Sequence, residues 1–178
     1  MKSKEMKGPS GLLIRDEIAA DIPAISRTIT EAMRLLAQAS GTEAAIVDLL
    51  RADKALALSL VATLKRQVIG HLAASAASVG GQDGWGLIGP LAVAPDWHRQ
   101  GVGSVLMAEA LRRLRATCRG AVLVGSPAYY NRFGFAAFPG LGAAGYPPEV
   151  VLALPFHGRA RAVGEVTYHP AFALDQPD

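Results

Sequence analysis

The stretch Leu87 to Cys118 constrains this chain more than any other. A run of apolar residues, Leu87 to Val93, stops at Pro95, and His98-Arg99-Gln100-Gly101-Val102-Gly103-Ser104 then opens a segment of helical period. Gly103, Leu106, Met107, Ala110, Leu111, Leu114 and Cys118 fall on one side of that helix, and Glu109, Arg112, Arg113, Arg115 and Arg119 on the other. The unit is a strand, a glycine-bearing turn and a helix. The first N–H groups of a helix lack intrahelical partners and carry the positive end of its dipole, so such a turn attracts phosphate. Gly101 and Gly103 have no Cβ and let a phosphate oxygen reach the main chain. By spacing alone, two glycines there also suit an ordinary tight turn. A Walker A loop is excluded because Val102 separates the glycines and no Lys-Ser/Thr pair follows, and a Rossmann fingerprint is excluded because Leu106 stands where a third small residue belongs.

The rest of the chain reads as one domain around this unit. At 178 residues a single core is sufficient. Mean hydropathy is +0.25, yet the apolar residues lie in short periodic runs and none has the length of a membrane span. MKSKEMK at the start lacks the apolar run of a signal peptide, so residues 1–11 are expected to be a disordered tail, with 173–178 a second tail. A lone cysteine, Cys118, excludes an internal disulfide and suits a reducing, cytoplasmic compartment. The net charge of +3 is too small and scattered for a nucleic-acid surface. Leu12 to Arg15 reads as a strand, and Asp21-Ile22-Pro23 as the carboxylate cap and first turn of a helix reaching Leu36. Ser40 and Glu43 have the spacing of a capping box before a helix over 44–51. Residues 55–62 and 67–73 read as a hairpin turning at Lys65-Arg66, and 78–84 as a glycine-rich loop. Strands over 150–156 and 163–168 follow a Gly/Pro-rich loop at 139–148. This order of elements is α/β, a mixed sheet with helices on both sides.

The sequence resembles a known family. His98-Arg99-Gln100-Gly101-Val102-Gly103 matches the cofactor motif of the GNAT superfamily, the GCN5-related N-acetyltransferases, at both glycines, and departs from it where His98 replaces Gln or Arg. Val122 to Phe135, VLVGSPAYYNRFGF, looks like the strand, helix and Gly-Phe turn that follow in that family. Its Pro-Ala-Tyr-Tyr wording, with Ser40 to Glu43 and Tyr168-His169-Pro170, is similar to the YhbS-like branch. The resemblance covers residues 12–172 and implies a GNAT domain: a mostly antiparallel mixed sheet whose two central parallel strands, Leu87 to Val93 and Ala121 to Val124, splay apart. It further implies that acetyl-CoA is the co-substrate, with no metal. The pantetheine arm would bond to the main chain of Leu91, Ala92 and Val93, and the pyrophosphate to the N–H groups of Arg99, Gln100, Gly101, Val102, Gly103 and Ser104. Gly89-Pro90 within the first of these strands suits a bulge or an unpaired edge.

The implied activity is transfer of an acetyl group to a primary amine, with no nucleic-acid or membrane partner. Sheet edges in such domains often pair, which leaves a homodimer open. Ser126 is read as a helix cap and Pro127 as the first helical residue. Tyr130 then falls one turn in, at the position of the family tyrosine beside the cofactor sulfur, as the proton donor to the thiolate. Ser126 or, alternatively, the main chain at Gly125 stands in for an asparagine that this shorter connection lacks. Tyr129 is read as a packing partner of Tyr130. No base is assigned: Trp85 to Ala94 contains no carboxylate, and Asp83, Glu43, Glu165, His169, a water chain or an amine arriving neutral all stay open. His71, inside a strand, is read as a hydrogen-bonded structural residue, with catalysis the alternative. That missing carboxylate also keeps open a non-catalytic acyl-CoA-binding or sensor module.

Overall fold

The computed structural model describes residues 7–37, 39–158 and 160–175. Eight strands and four α-helices follow one another as β1 (Leu13–Asp16), α1 (Ile22–Met33), α2 (Glu43–Ala52), β2 (Leu56–Leu64), β3 (Gln67–Val79), β4 (Gln82–Val93), α3 (Val102–Thr117), β5 (Gly120–Val124), α4 (Pro127–Tyr130), β6 (Leu141–Gly142), β7 (Val151–Pro155) and β8 (Gly164–Tyr168). The main sheet runs β1-β2-β3-β4-β5-β7, and β8 joins the outer end of β3, carrying β6 beside it. Every pairing in the main sheet is antiparallel except β4 with β5.

Side chains alternate across β3 and sort the core into faces. Leu72 and Ala74 point toward α3, where Leu106 and Met107 are fully buried. Ala73 points the other way and packs with Val61, Ala92 and the α1 residues Ile25, Ile29 and Met33. Farther along that second face, Trp85, Leu87, Val122 and Val151 meet Leu141 and Val166 of the small β6-β8 layer.

The hairpin at Lys65-Arg66 forms as expected, with φ of 48° and 68° at the two residues. The expected loop at 78–84 does not. Gly80 and Gly81, at φ of 56° and 77°, make a two-residue turn, and β3 and β4 run up to it on both sides. Two glycines at positive φ are what a tight hairpin with strand-compatible twist needs. Asp21 does not cap α1 with its side chain; its carboxylate takes the Ile18 N–H at 2.9 Å and both Arg15 nitrogens, at 2.6 and 3.0 Å, bracing the preceding 3-10 turn. The capping box before α2 is half formed. Glu43 Oε1 accepts the Ser40 N–H at 3.0 Å, but Ser40 Oγ accepts from Thr42 N at 3.1 Å, one residue before the helix begins. Within the stretch read as an N-terminal tail, Leu12 N donates to Pro9 O at 3.1 Å, and Lys7 lies against Gly101. Residues Pro170–Asp175 form a 3-10 segment whose Ala171 joins Ile46 and Leu50 of α2 in a small buried cluster.

Candidate functional site

The site grows from a fork in the sheet. β4 and β5 pair in parallel only at Trp85–Gly120, Gly86–Ala121 and Leu87–Val122. Beyond Leu87 β4 pairs with β3 alone, and beyond Val122 β5 pairs with β7 alone. The fork opens where Gly89-Pro90 interrupts β4. The β3 partners step from Leu72 to Ala74 while β4 steps from Leu91 to Ile88, so β4 carries one extra residue, a bulge. The Gly89-Pro90 peptide is cis.

The register decides which main-chain groups face the gap. Ala94 N donates to Ile69 O at 2.8 Å, and hydrogen-bonded pairs alternate along an antiparallel ladder, so Ala92 pairs its N–H and C=O with His71 while Leu91 and Val93 turn theirs away from β3. Of the three residues expected to present main chain to the gap, Leu91 and Val93 do. Ala92 does not: its polar groups belong to the ladder and its methyl to the α1 face. The Val93 carbonyl accepts from His98 Nε2 at 2.7 Å. His98, the departure from the family motif, therefore ties the turn back onto the strand. Gln100 Nε2 adds a second brace to Asp96 O at 2.9 Å.

α3 starts one residue earlier than Gly103 suggests. Gly101 sits at its N-terminus with φ of 83°, and the first intrahelical bond runs from Val105 N to Gly101 O at 3.0 Å. The N–H groups of Val102, Gly103 and Ser104 therefore precede the helical ladder and point out of its end. A Cβ at Gly103 would stand 2.7 Å from the Tyr129 hydroxyl and 3.5 Å from Val93 Cγ2, so the hydroxyl comes this close to the helix end because the residue is glycine and would have to shift for any other. At Gly101 a Cβ would meet the Lys7 carbonyl at 2.8 Å.

The far wall is α4. Ser126 occupies its N-terminal position, but its hydroxyl makes no capping bond; its carbonyl accepts from Tyr129 N at 3.0 Å and Tyr130 N at 3.1 Å, and the side chain stays exposed. Tyr130 lies over Gly125, where a Cβ would be 2.4 Å from its ring, and meets Phe135 edge-on at 6.2 Å. Tyr129 reaches the α3 terminus instead, under the Arg132 guanidinium at 4.2 Å and edge-on to Tyr130 at 4.9 Å. Burial raises the pKa of both phenols above the ordinary value, so both hold their protons firmly.

The carboxylate candidates separate. Asp83 is exposed near the start of β4, Glu43 is engaged with Ser40, and His169 takes the Ala171 N–H on Nδ1 at 3.1 Å with Nε2 3.4 Å from Asp53. Glu43 does share a neighbourhood that the loops alone do not reveal. Tyr146 donates to Asp175 at 2.9 Å, and burial, this bond and the nearby Asp175, Tyr168 and Glu43 push its phenol up. His71, read as a hydrogen-bonded residue, lies 2.8 Å from the Ser59 hydroxyl, which donates to Glu17; these partners are on other elements that sequence spacing does not name. Among the described residues no group of three or more His, Cys, Asp or Glu is placed to hold a metal ion, and no helix is long and apolar enough to cross a membrane.

Comparison with known proteins decides the family. Residues 55–137 match the model of the acetyltransferase (GNAT) domain. The chain is 40% identical over 127 residues to the N-acetyltransferase YhbS of Escherichia coli K12, covering 70% of this chain and 73% of that one. The chain belongs to the GNAT acetyltransferase family. Within that family, a Brucella melitensis acetyltransferase solved in complex with acetyl-CoA superposes with a TM-score of 0.79 at 40% identity, over 90% of this chain and 97% of its own. YhbS from Escherichia coli, solved in complex with CoA, gives a TM-score of 0.83 at 33% identity, over 94% and 95%. The likeness thus spans nearly all of this chain.

Proposed function

We propose that this GNAT protein is an acetyl-CoA-dependent N-acetyltransferase that passes the acetyl group directly to a primary amine. The observation that carries the reading is the coincidence of the fork with the uncapped α3 terminus. Main chain at Leu91 and Val93 that the β3 ladder leaves free, the Val93 carbonyl already shared with His98, suits an extended amide-bearing arm, which would add to β4 as a further strand does. The N–H groups of Val102, Gly103 and Ser104, with Arg99, Gln100 and Gly101 shaping the turn, suit a diphosphate. Ser126, with its hydroxyl unused, borders the arm on the α4 side.

Tyr130 is the proton donor in this reading. A neutral amine attacks the thioester carbon, the developing oxyanion is met by a β4 N–H, and the departing thiolate takes the phenolic proton. A phenol that burial keeps protonated serves as an acid and does not ionise beforehand. Tyr130→Phe is expected to lower turnover roughly 100-fold or more while acetyl-CoA affinity stays within about twofold. Equal loss of both would remove the role. The absence of a carboxylate along 85–94 favours the second reading, an acyl-CoA sensor. Thiol release from acetyl-CoA across a panel of amines separates the two, since a sensor binds and releases nothing. The partners are therefore acetyl-CoA and an amine, in a cytoplasmic setting that accords with the single cysteine. A homodimer through the β1 edge accords with Leu13 and Ile18, 65% and 57% exposed there, and sedimentation of the intact protein tests it.

A further inference from the structure

Of the two consecutive tyrosines on α4, the proposed transfer gives a task to Tyr130 alone. Tyr129 is held in place as firmly as its neighbour. Its N–H donates to Ser126 O at 3.0 Å, Tyr130 meets its ring edge-on at 4.9 Å, and Phe133 lies tilted against it at 5.6 Å. Packing of this kind accounts for the ring but not for the hydroxyl, since a tyrosine that leaves bulk water usually bonds its polar tip to something. The Tyr129 side chain is half-buried, and among the described residues its hydroxyl has no hydrogen-bond partner.

That hydroxyl ends at the open end of α3. A Cβ at Gly103 would meet it at 2.7 Å, and in a helix the Cα–Cβ bond tilts toward the N-terminus. The oxygen therefore lies beyond Gly103 on the side toward which the N–H groups of Val102, Gly103 and Ser104 point. Donors from two elements converge there, amides from α3 and a hydroxyl from α4, and what the arrangement lacks is an acceptor. Arg132 adds charge to the same spot. Its Nε donates to Tyr129 O at 2.8 Å and its guanidinium stacks on the Tyr129 ring at 4.2 Å, so the two side chains move as one. Arg15, Arg51, Arg112 and Arg113 are each paired with a carboxylate, whereas Arg132, exposed, is paired with none among the described residues. Its Nη1 and Nη2 keep their hydrogens for an anion.

Resting on the acetyl-transfer reading, we propose that Tyr129 and Arg132 form the second jaw of the diphosphate site. The Tyr129 hydroxyl donates to the phosphate that the α3 amides hold, and the Arg132 guanidinium, stacked on its ring, offsets the diphosphate's charge. Burial keeps the phenol protonated, and so a donor, against the pull of Arg132 toward ionisation. The two tyrosines then divide the coenzyme between them. Tyr130, turned over Gly125 toward Phe135, serves the sulfur end, and Tyr129 serves the phosphate end. Glycine at position 103 lets the hydroxyl come down onto the amides, because a side chain there would hold it away. Neither group makes or breaks a bond, so both are binding residues whose loss shows in affinity and not in turnover.

Titration of the intact protein by calorimetry and NMR tests the assignment, with acetyl-CoA, 3′-dephospho-CoA, pantetheine and inorganic pyrophosphate as the probes. Tyr129→Phe keeps the ring, its edge contacts and the stacked guanidinium, and removes only the hydroxyl. Affinity for acetyl-CoA, 3′-dephospho-CoA and pyrophosphate should fall about tenfold, as expected for a lost bond to a charged group, while affinity for pantetheine stays within about twofold. With any amine the protein acetylates, turnover at saturating acetyl-CoA should also stay within about twofold, unlike that of Tyr130→Phe. Arg132→Gln should weaken the same phosphate-bearing probes about fivefold, less as salt rises from about 0.05 to about 0.5 M, and Arg132→Lys, which keeps the charge, should lose less. A Tyr129→Phe loss that extends equally to pantetheine would leave Tyr129 a packing residue. A loss with acetyl-CoA that vanishes with 3′-dephospho-CoA would move it to the 3′-phosphate, and unchanged affinity throughout would leave the hydroxyl without this role; each of these overturns the proposal. If the unaltered protein binds pyrophosphate through Tyr129 but takes up no acetyl-CoA, the acetyl-transfer reading fails and the phosphate contact stands.

Discussion

At the scale of single residues, the site is built from small side chains and shared bonds. Gly103 is the clearest case, since any Cβ there would crowd the Tyr129 hydroxyl at 2.7 Å. The sequence pointed to Gly103 through the motif but left Tyr129 as a packing residue, because the meeting of α4 with the α3 terminus is a tertiary event that no local spacing encodes. His71 shows the same limit. Its partners Ser59 and Glu17 lie on other elements, and only the register of β2 on β3 brings Ser59 within reach. The network has a measurable pH consequence. Burial drives the His71 ring down to about 4, against the upward pull of Glu17. The unfolded ring titrates near 6.5, so below that pH the unfolded chain binds a proton that the native ring refuses. Stability is unaffected above the unfolded value and declines as pH falls from about 6.5 toward 4, by on the order of 3 kcal/mol from this group. Glu17, whose native value is lowered, adds a loss in the same direction as pH falls through the carboxylate range. Urea midpoints measured across this window should fall for the unaltered protein, and should fall less for His71→Gln.

At the scale of elements, the strand-turn-helix unit was legible because its parts agree: an apolar strand, glycines at the turn, and a helix with one apolar stripe. α3 owes its place to that stripe, and Leu106, fully buried, is its centre. Leu106→Ala should cost about 2–5 kcal/mol in chemical denaturation, the range for a fully buried leucine. Gly101→Ala meets two obstacles at once, a left-handed backbone at φ 83° and the Lys7 carbonyl at 2.8 Å, and should cost more than about 1 kcal/mol while weakening coenzyme uptake. The β3-β4 hairpin was less legible. Ala73-Ala74-Ser75-Ala76-Ala77-Ser78 lacks the β-branched and aromatic residues that announce a strand, so burial between α-helices and β8 makes it one where propensity is silent. Likewise Asp21 and Ser126 have the residue types and positions of helix caps, yet Arg15 claims the first and the second is left at the edge of the gap. Capping geometry depends on which competing partner is nearer, which sequence does not state.

At the scale of the whole molecule, the fold holds two neighbouring strands apart. Beyond Leu87 and Val122 β4 stays with β3 and β5 with β7, and the edges that they turn toward each other no longer pair. α3 and α4 line one side of the opening, while α1, α2 and the β6-β8 layer build the opposite face, where Ser75 and His71 lie. This gap and the α3 terminus together form the proposed seat of acetyl-CoA. Calorimetric titration of the unaltered protein and of Gly103→Val with acetyl-CoA tests it most directly. Saturable uptake of one coenzyme per chain is expected, weakened at least tenfold by the valine, which would push into Tyr129 and the diphosphate position alike. No uptake by the unaltered protein, or equal uptake by the valine variant at matched stability, would contradict it.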